Sequence, residues 1–308
     1  MPRKPAPKPR RRKPGMLLLG ALAGAALLGW GAFSLTGDSF RGAAALEHAE
    51  RLTAFGPRPP GTDAHREMQR YIVAELEKAG VAVEENPFTA STPYGPVAMN
   101  NIVGRIPGRT GRIIVLASHY DTKRMDAMRF VGANDGGSST GLLLALAPVL
   151  AKRENQHDIW LVFLDGEEAF EEWTATDSLY GSRHLAQQWR QAGILSKIGA
   201  FLLVDLIGDA DLDIRRESQS TPWLTDLVWK VARGLGYSRH FLDASVSVSD
   251  DHVPFLEAGV PAVDLIDFNY GPDNSYWHTA EDTLDKLSAG SLEIVGKVLL
   301  GVIAELEQ

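Results

Sequence analysis

Between Asn100 and Asp267 the chain alternates short apolar, β-branched runs with stretches of helical periodicity. The runs NNIVGRI (100–106), RIIVLAS (112–118), IWLVFLD (159–165), AFLLVDL (200–206) and PAVDLID (261–267) predict strands. Apolar positions three and four apart predict helices over Asp63–Ala79, Ser138–Ala151, Ser178–Ala192, Pro222–Leu235 and Ser291–Leu306. Strands alternating with helices imply an α/β domain, a three-layer α/β/α sandwich around a mostly parallel, mixed sheet covered on both faces.

Polar residues interrupt this pattern at particular places. His119 and Asp121 follow the second run, Asp165, Glu167 and Glu168 end or follow the third, and Asp205 ends the fourth. All lie at C-terminal ends of strands, where open α/β sheets form their ligand crevice, so three strands distant in sequence should deliver these groups to one rim. The run FLDGEEAFEEW packs five carboxylates into eight residues, Asp165, Glu167, Glu168, Glu171 and Glu172. A charge run is usually a solvated loop, and only partners elsewhere in the chain would make it a metal site.

Ahead of the body the pattern is different. Residues 16–36, MLLLGALAGAALLGWGAFSLT, contain no charged side chain, long enough to cross a bilayer as a helix. Residues 1–14 hold seven Lys or Arg and no acid, which favours a cytoplasmic N-terminus. The expected organisation is a basic arm (1–15), a single-pass transmembrane signal anchor (16–36), a linker (37–42) and one extracytoplasmic domain (43–308). A cleavable signal peptide is the alternative, but its apolar region is usually only about 7–15 residues.

The net charge of −8 hides this asymmetry: outside the arm, 24 Lys or Arg face 39 Asp or Glu. So acidic a body excludes nucleic acid as the expected partner. There is no cysteine, hence no disulfide, no thiolate ligand and no cysteine nucleophile.

Two further stretches add donors. VGANDGGSSTG carries Asp135 among glycines before an apolar helix, and NSYWHTAEDT carries His278 beside Trp277. Imidazole and carboxylate together suit zinc, which in catalytic sites takes three protein ligands and leaves a position open. Singly, Asp135 would read as a helix cap and His278 as a surface loop residue.

The ordered set HYD (119–121), GAND (132–135), DGEE (165–168), VDLIG (204–208), DDHVPF (250–255) and WHT (277–279) resembles the zinc-dependent exopeptidase family that includes aminopeptidases and glutaminyl-peptide cyclotransferases. The resemblance runs from about Leu52 to the C-terminus. It implies that Asp135, Glu168 and His278 bind zinc and that Glu167 is the general acid/base. STPYGP (91–96), HYDTK (119–123), FVGAND (130–135) and DGEEAFEEWTATDSLYGSRHLA (165–186) look like glutaminyl cyclases in particular. That likeness implies aromatic walls at Trp173 and Trp277 and a reacting hydrogen-bonder at Asp250. Asp205 is the further acid expected beside Glu167.

Asn134 departs from animal cyclases, which usually carry threonine there, and matches the aminopeptidases. In two-zinc aminopeptidases His119 and Asp205 would hold a second ion and Asp135 would bridge. The inventory accommodates both counts, and the cyclase-like stretches favour one zinc. His119, Asp121 and His252 are thus candidates either for a second metal or for hydrogen bonds behind the ligands. The expected activity is conversion of N-terminal glutamine of peptides or proteins to pyroglutamate with release of ammonia. The alternatives are an aminopeptidase and an inactive membrane-anchored binding domain, the latter expecting broken ligand positions that the sequence does not have.

Overall fold

The computed structural model describes residues 40–308 and, ahead of them, Pro2 alone. The expected basic arm and anchor (1–36) and most of the linker therefore lie outside the described residues. Among the described residues no helix is long and apolar enough to cross a membrane.

The continuous described structure starts inside the expected linker. Phe40 is buried in the main core, and helix α1 spans Gly42–Ala54. α2 (Asp63–Lys78) starts where the Thr62 side chain accepts the His65 N–H, and it buries Met68, Ile72 and Leu76, one stripe at four-residue spacing. A hairpin follows, β1 (Ala82–Thr92) and β2 (Gly95–Ile106), then β3 (Ile113–His119). α3 (Gly137–Ala151) leads to β4 (Asp158–Leu164), α4 (Tyr180–Gln191) and β5 (Ile198–Asp205). β6 (Ile214–Glu217), α5 (Pro222–Gly234), β7 (Phe241–Val246), α6 (Val253–Glu257), β8 (Ala262–Ile266) and α7 (Ala289–Leu306) complete the chain.

The six-stranded sheet has the order β1-β2-β4-β3-β5-β8. β1 with β2 and β2 with β4 pair antiparallel; β4 with β3, β3 with β5 and β5 with β8 pair parallel. The mixed sheet matches the expectation, with its parallel part running from β4 to the edge strand β8. β3 is buried at every position because successive side chains enter opposite cores. Ile114 and Leu116 join α1, α2, α3, α5 and α7 on one face, whereas Val115 and Ala117 pack with Trp189 of α4 and Phe255 of α6 on the other. These are the three layers. The parallel register places His119 beside Leu164, so β3 and β4 end side by side and release their following residues at one edge.

Candidate active site

Five segments meet at that edge: the ends of β3 and β5, the turn after β4, the loop before α3, and the loop after β8 that carries His278. The His278 Nε2 lies 2.9 Å from Glu168 Oε1 and 3.2 Å from Asp135 Oδ2. The other Asp135 oxygen, Oδ1, lies 3.2 Å from His119 Nε2, which is 3.1 Å from Asp205 Oδ1. Two donor sets result, Asp135–Glu168–His278 and His119–Asp135–Asp205, each with its ligand atoms within 4.8 Å of one another. Asp135 belongs to both.

The donor chemistry fits a divalent metal. Both sets are imidazole and carboxylate only, and all five side chains are wholly or largely buried. Glu168 Oε2 is buried without a hydrogen bond, its nearest cation the Lys123 ammonium at 3.5 Å. Leaving a buried carboxylate oxygen in that state is costly unless a positive centre completes it. His278 itself has a left-handed backbone, φ 53°, a conformation a non-glycine residue holds only where its surroundings dictate it.

The charges of the site reinforce one another. Burial disfavours the charged form of Asp135, but hydrogen bonds from His119 and His278 outweigh it and hold this carboxyl well below the usual range. Burial also works against His278 carrying charge, yet Glu168 and Asp135 push it up to about 10. Glu167 shifts the other way. Burial, followed by the repulsion of Glu168, Asp250 and Asp251 against a lowering pull from His119, raises it well above the ordinary carboxylate value. Asp250 is pushed up to about 7, by burial first and then by Asp205. Burial raises both glutamates of the DGEE turn, but their neighbours differ: Glu168 lies 2.9 Å from the His278 imidazole, whereas Glu167 has His119 at 3.9 Å and is repelled by Glu168, Asp250 and Asp251.

That cavity, about 350 Å³, has Asp135, Glu167, Glu168 and His278 at its base, with Asp205 and Asp250 beside them. Its walls are Trp173, Trp277, Phe268 and the loop Ser247–Ser249. Trp277 stacks on His278 at a 4.0 Å centroid distance, and Phe268 meets Trp277 edge-on at 4.9 Å.

Not every expected site residue enters the cavity. Asp121 lies behind it and accepts the backbone N–H groups of Gly166 (3.0 Å), Glu167 (3.1 Å) and Glu168 (3.4 Å), so its carboxylate fixes the turn that aims both glutamates. His252 is fully buried and pairs with Glu217 at 3.2 Å, away from both donor sets. Asp165 accepts from His65 (2.8 Å) and from the Asn100 N–H (2.6 Å). Glu171 and Glu172 are exposed. Asn134 braces the site from below: its amide donates to Leu206 O and accepts the Gly208 N–H, tying the loop before α3 to the end of β5.

Sequence reasoning missed several supports. Asp282 accepts the N–H of Asn134 (2.8 Å) and Asp135 (3.2 Å) as well as the Tyr270 hydroxyl, and so sets the Asp135 backbone. Arg58, wholly buried, donates to Tyr120 O, Val131 O and Gly132 O. Lys123, Phe268 and Val248 line the cavity. Lys123 and Asp282 stood within quoted stretches, HYDTK and NSYWHTAEDT, without being singled out; a lone buried arginine leaves no local signal.

An α/β sheet that presents acids and imidazoles from its strand ends beneath an aromatic-walled cavity is a metal-competent enzyme fold. The sequence profile of Peptidase family M28 matches residues 101–303. A glutaminyl-peptide cyclotransferase of Drosophila melanogaster is 34% identical over 252 residues, covering 73% of this chain and 70% of that protein. The crystal structure of an Acidobacteriales bacterium glutaminyl cyclase superposes with a TM-score of 0.85 and 46% identity, covering 87% of this chain and 95% of the other. A Zn-dependent exopeptidase from Parabacteroides distasonis superposes with a TM-score of 0.77 and 25% identity, covering 86% and 98%. The chain belongs to peptidase family M28, and within it to the glutaminyl-peptide cyclotransferases.

Proposed function

We propose that the protein converts N-terminal glutamine of peptides and proteins to pyroglutamate with release of ammonia, using zinc held by Asp135, Glu168 and His278. The observation that carries this reading is the position of Glu167, beside the Asp135–Glu168–His278 set and in a cavity walled by two indoles. Zinc, when bound, would supply Lewis-acid stabilisation of charge developing on the γ-carbonyl oxygen.

The chain's own groups account for the rest. Trp173 and Trp277 flatten the glutamine side chain between apolar surfaces, bringing the α-amine within reach of its own γ-carbon. As the new C–N bond forms, Glu167 takes a proton from the attacking amine. The same carboxyl returns it to the departing amide nitrogen as that C–N bond breaks, and ammonia leaves. A group that must accept and then give a proton near neutrality needs a pKa above that of a free carboxyl, the direction in which burial moves Glu167. Glu168, Asp250 and Asp251 add to this by repulsion, and Asp250, itself pushed up to about 7 by burial and Asp205, can hydrogen-bond the reacting nitrogen.

The test is mass spectrometry of a glutamine-initiated peptide incubated with the purified protein. The expected product is lighter by one ammonia, with no free amino acid. A second reading rests on the His119–Asp135–Asp205 set, which could hold a second ion as an aminopeptidase would need. Released glutamine and a metal-to-protein ratio near two would favour it.

Residues 16–36 are proposed as a membrane anchor with a cytoplasmic N-terminus and the catalytic body outside, supported by their uncharged length and the basic run before them. In fractionated cells the full chain should sediment with membranes and a chain starting at Gly37 should not; equal partitioning of the two would remove this proposal.

A further inference from the structure

Trp173 stands on a loop that the main cores do not hold. The loop leaves the DGEE turn (165–168) at Ala169 and comes back against it at Leu179, where Leu179 N–H donates to Glu167 O (2.9 Å) and Tyr180 N–H to Gly166 O (2.8 Å). Both its ends are therefore pinned to the turn that carries the candidate general base. Between them residues 171–176 are all exposed, Trp173 among them at 44%. Apolar burial cannot fix such a segment, yet its one large side chain forms part of the cavity wall and also borders a neighbouring cavity of about 390 Å³.

Polar scaffolding does the fixing. The Asp177 carboxylate, itself buried, accepts the Phe170 N–H (2.9 Å) and Tyr180 hydroxyl (2.8 Å) on one oxygen and the Glu171 and Glu172 N–H groups (2.9 and 3.1 Å) on the other. These are the three backbone amides just before Trp173. From the first turn of α4, Arg183 reaches back to the carbonyls just after it: Ala175 (2.6 Å), Ser178 (2.7 Å) and Leu179 (3.2 Å). Leu179 holds a left-handed backbone, φ 52°, at the point where the loop closes. An anion collects the donors on one side of the tryptophan and a planar cation collects the acceptors on the other, each made stronger by its charge.

We propose that Asp177 and Arg183 are positioning residues that set Trp173 in the wall of the substrate cavity, acting on substrate only through that ring. The inference rests on the cyclase reading for its assay. Asp177→Ala and Arg183→Ala should each raise KM for a glutamine peptide on the order of tenfold, the scale for residues sharing one network, with kcat within about threefold. In a Trp173→Ala background the same substitutions should add less than about twofold, because the ring they place is gone. Should the alanine variants fail to fold, Asp177→Asn and Arg183→Lys serve instead: an amide nitrogen cannot accept the N–H groups, and an ammonium cannot span the carbonyls in a fixed fork.

One readout is independent of turnover. The emission of Trp173, taken as the difference from the matching Trp173→Phe protein, should shift towards that of a solvated indole in Asp177→Ala. If the wild type makes no lactam, the cyclase reading falls and the emission difference still decides this inference. If the wild type cyclises while the variants keep its KM and its Trp173 emission, this inference alone is overturned. It is likewise overturned if their effects multiply fully with Trp173→Ala.

Discussion

Glu167→Gln should lower kcat for glutamine-peptide cyclisation by roughly 10²–10⁴-fold, the usual worth of a positioned proton carrier. The substitution keeps size and shape, and removes only the ability to take a proton and give it back. Glu167 belongs to neither donor set, so metal content should stay at the wild-type value. KM should change little, since the cavity walls are untouched. Ammonia release with a coupled dehydrogenase measures the rate, and metal analysis of the same sample checks the site. A variant that keeps full rate would remove Glu167 from the reaction; one that loses its metal as well would make it a ligand.

Asp135→Ala should be still more damaging. Its two oxygens serve His278 on one side and His119 on the other, so a single truncation dismantles both donor sets. The expected result is a metal-to-protein ratio falling towards zero and a rate loss of roughly 10³-fold or more, the several kcal/mol a Lewis acid contributes. Chelation of the wild type should reproduce the loss and lower the melting temperature, because an ion bound only by the folded state stabilises it. Added zinc should restore the chelated wild type and leave Asp135→Ala inactive. His119→Ala separates the two counts: a one-ion site keeps its metal, whereas a two-ion site drops by one. Full activity in Asp135→Ala would contradict the shared-ligand geometry.

The strands of the parallel part were legible in the sequence because burial on both faces leaves an unbroken apolar run, as in Ile113–Ala117. β1 was not. It is an edge strand with one exposed face, AVEENPFTAST, and of its three buried positions, Asn86, Ala90 and Thr92, only Ala90 is apolar. α1 was missed for a different reason. It meets α3 through small residues, and a Cβ on Gly141 would lie 2.6 Å from Ala45 O, a contact that depends on the absence of side chains rather than on their hydrophobicity.

At the site the same division holds. Asp135, Glu168 and His278 could be chosen because each sits in a distinctive motif, and the structure brings them within reach of one ion. Asp121 was a candidate either for a second metal or for hydrogen bonds behind the ligands, and its oxygens accept three backbone amides. No local pattern tells a carboxylate that binds metal from one that binds N–H groups; the difference arises from where β3 and β4 stop relative to each other. Arg58 and Asp282 act across 74 and 148 residues of sequence, on Gly132 O and on the Asn134 N–H, and only the folded chain reveals them.

Anomalous diffraction at the zinc edge from crystals of the purified protein tests the central claim most directly. The account predicts a peak in contact with Asp135, Glu168 and His278 at the base of the cavity, with Glu167 beside it and not bound to it. No peak there, or an ion held by other residues while the protein still forms pyroglutamate, would contradict it.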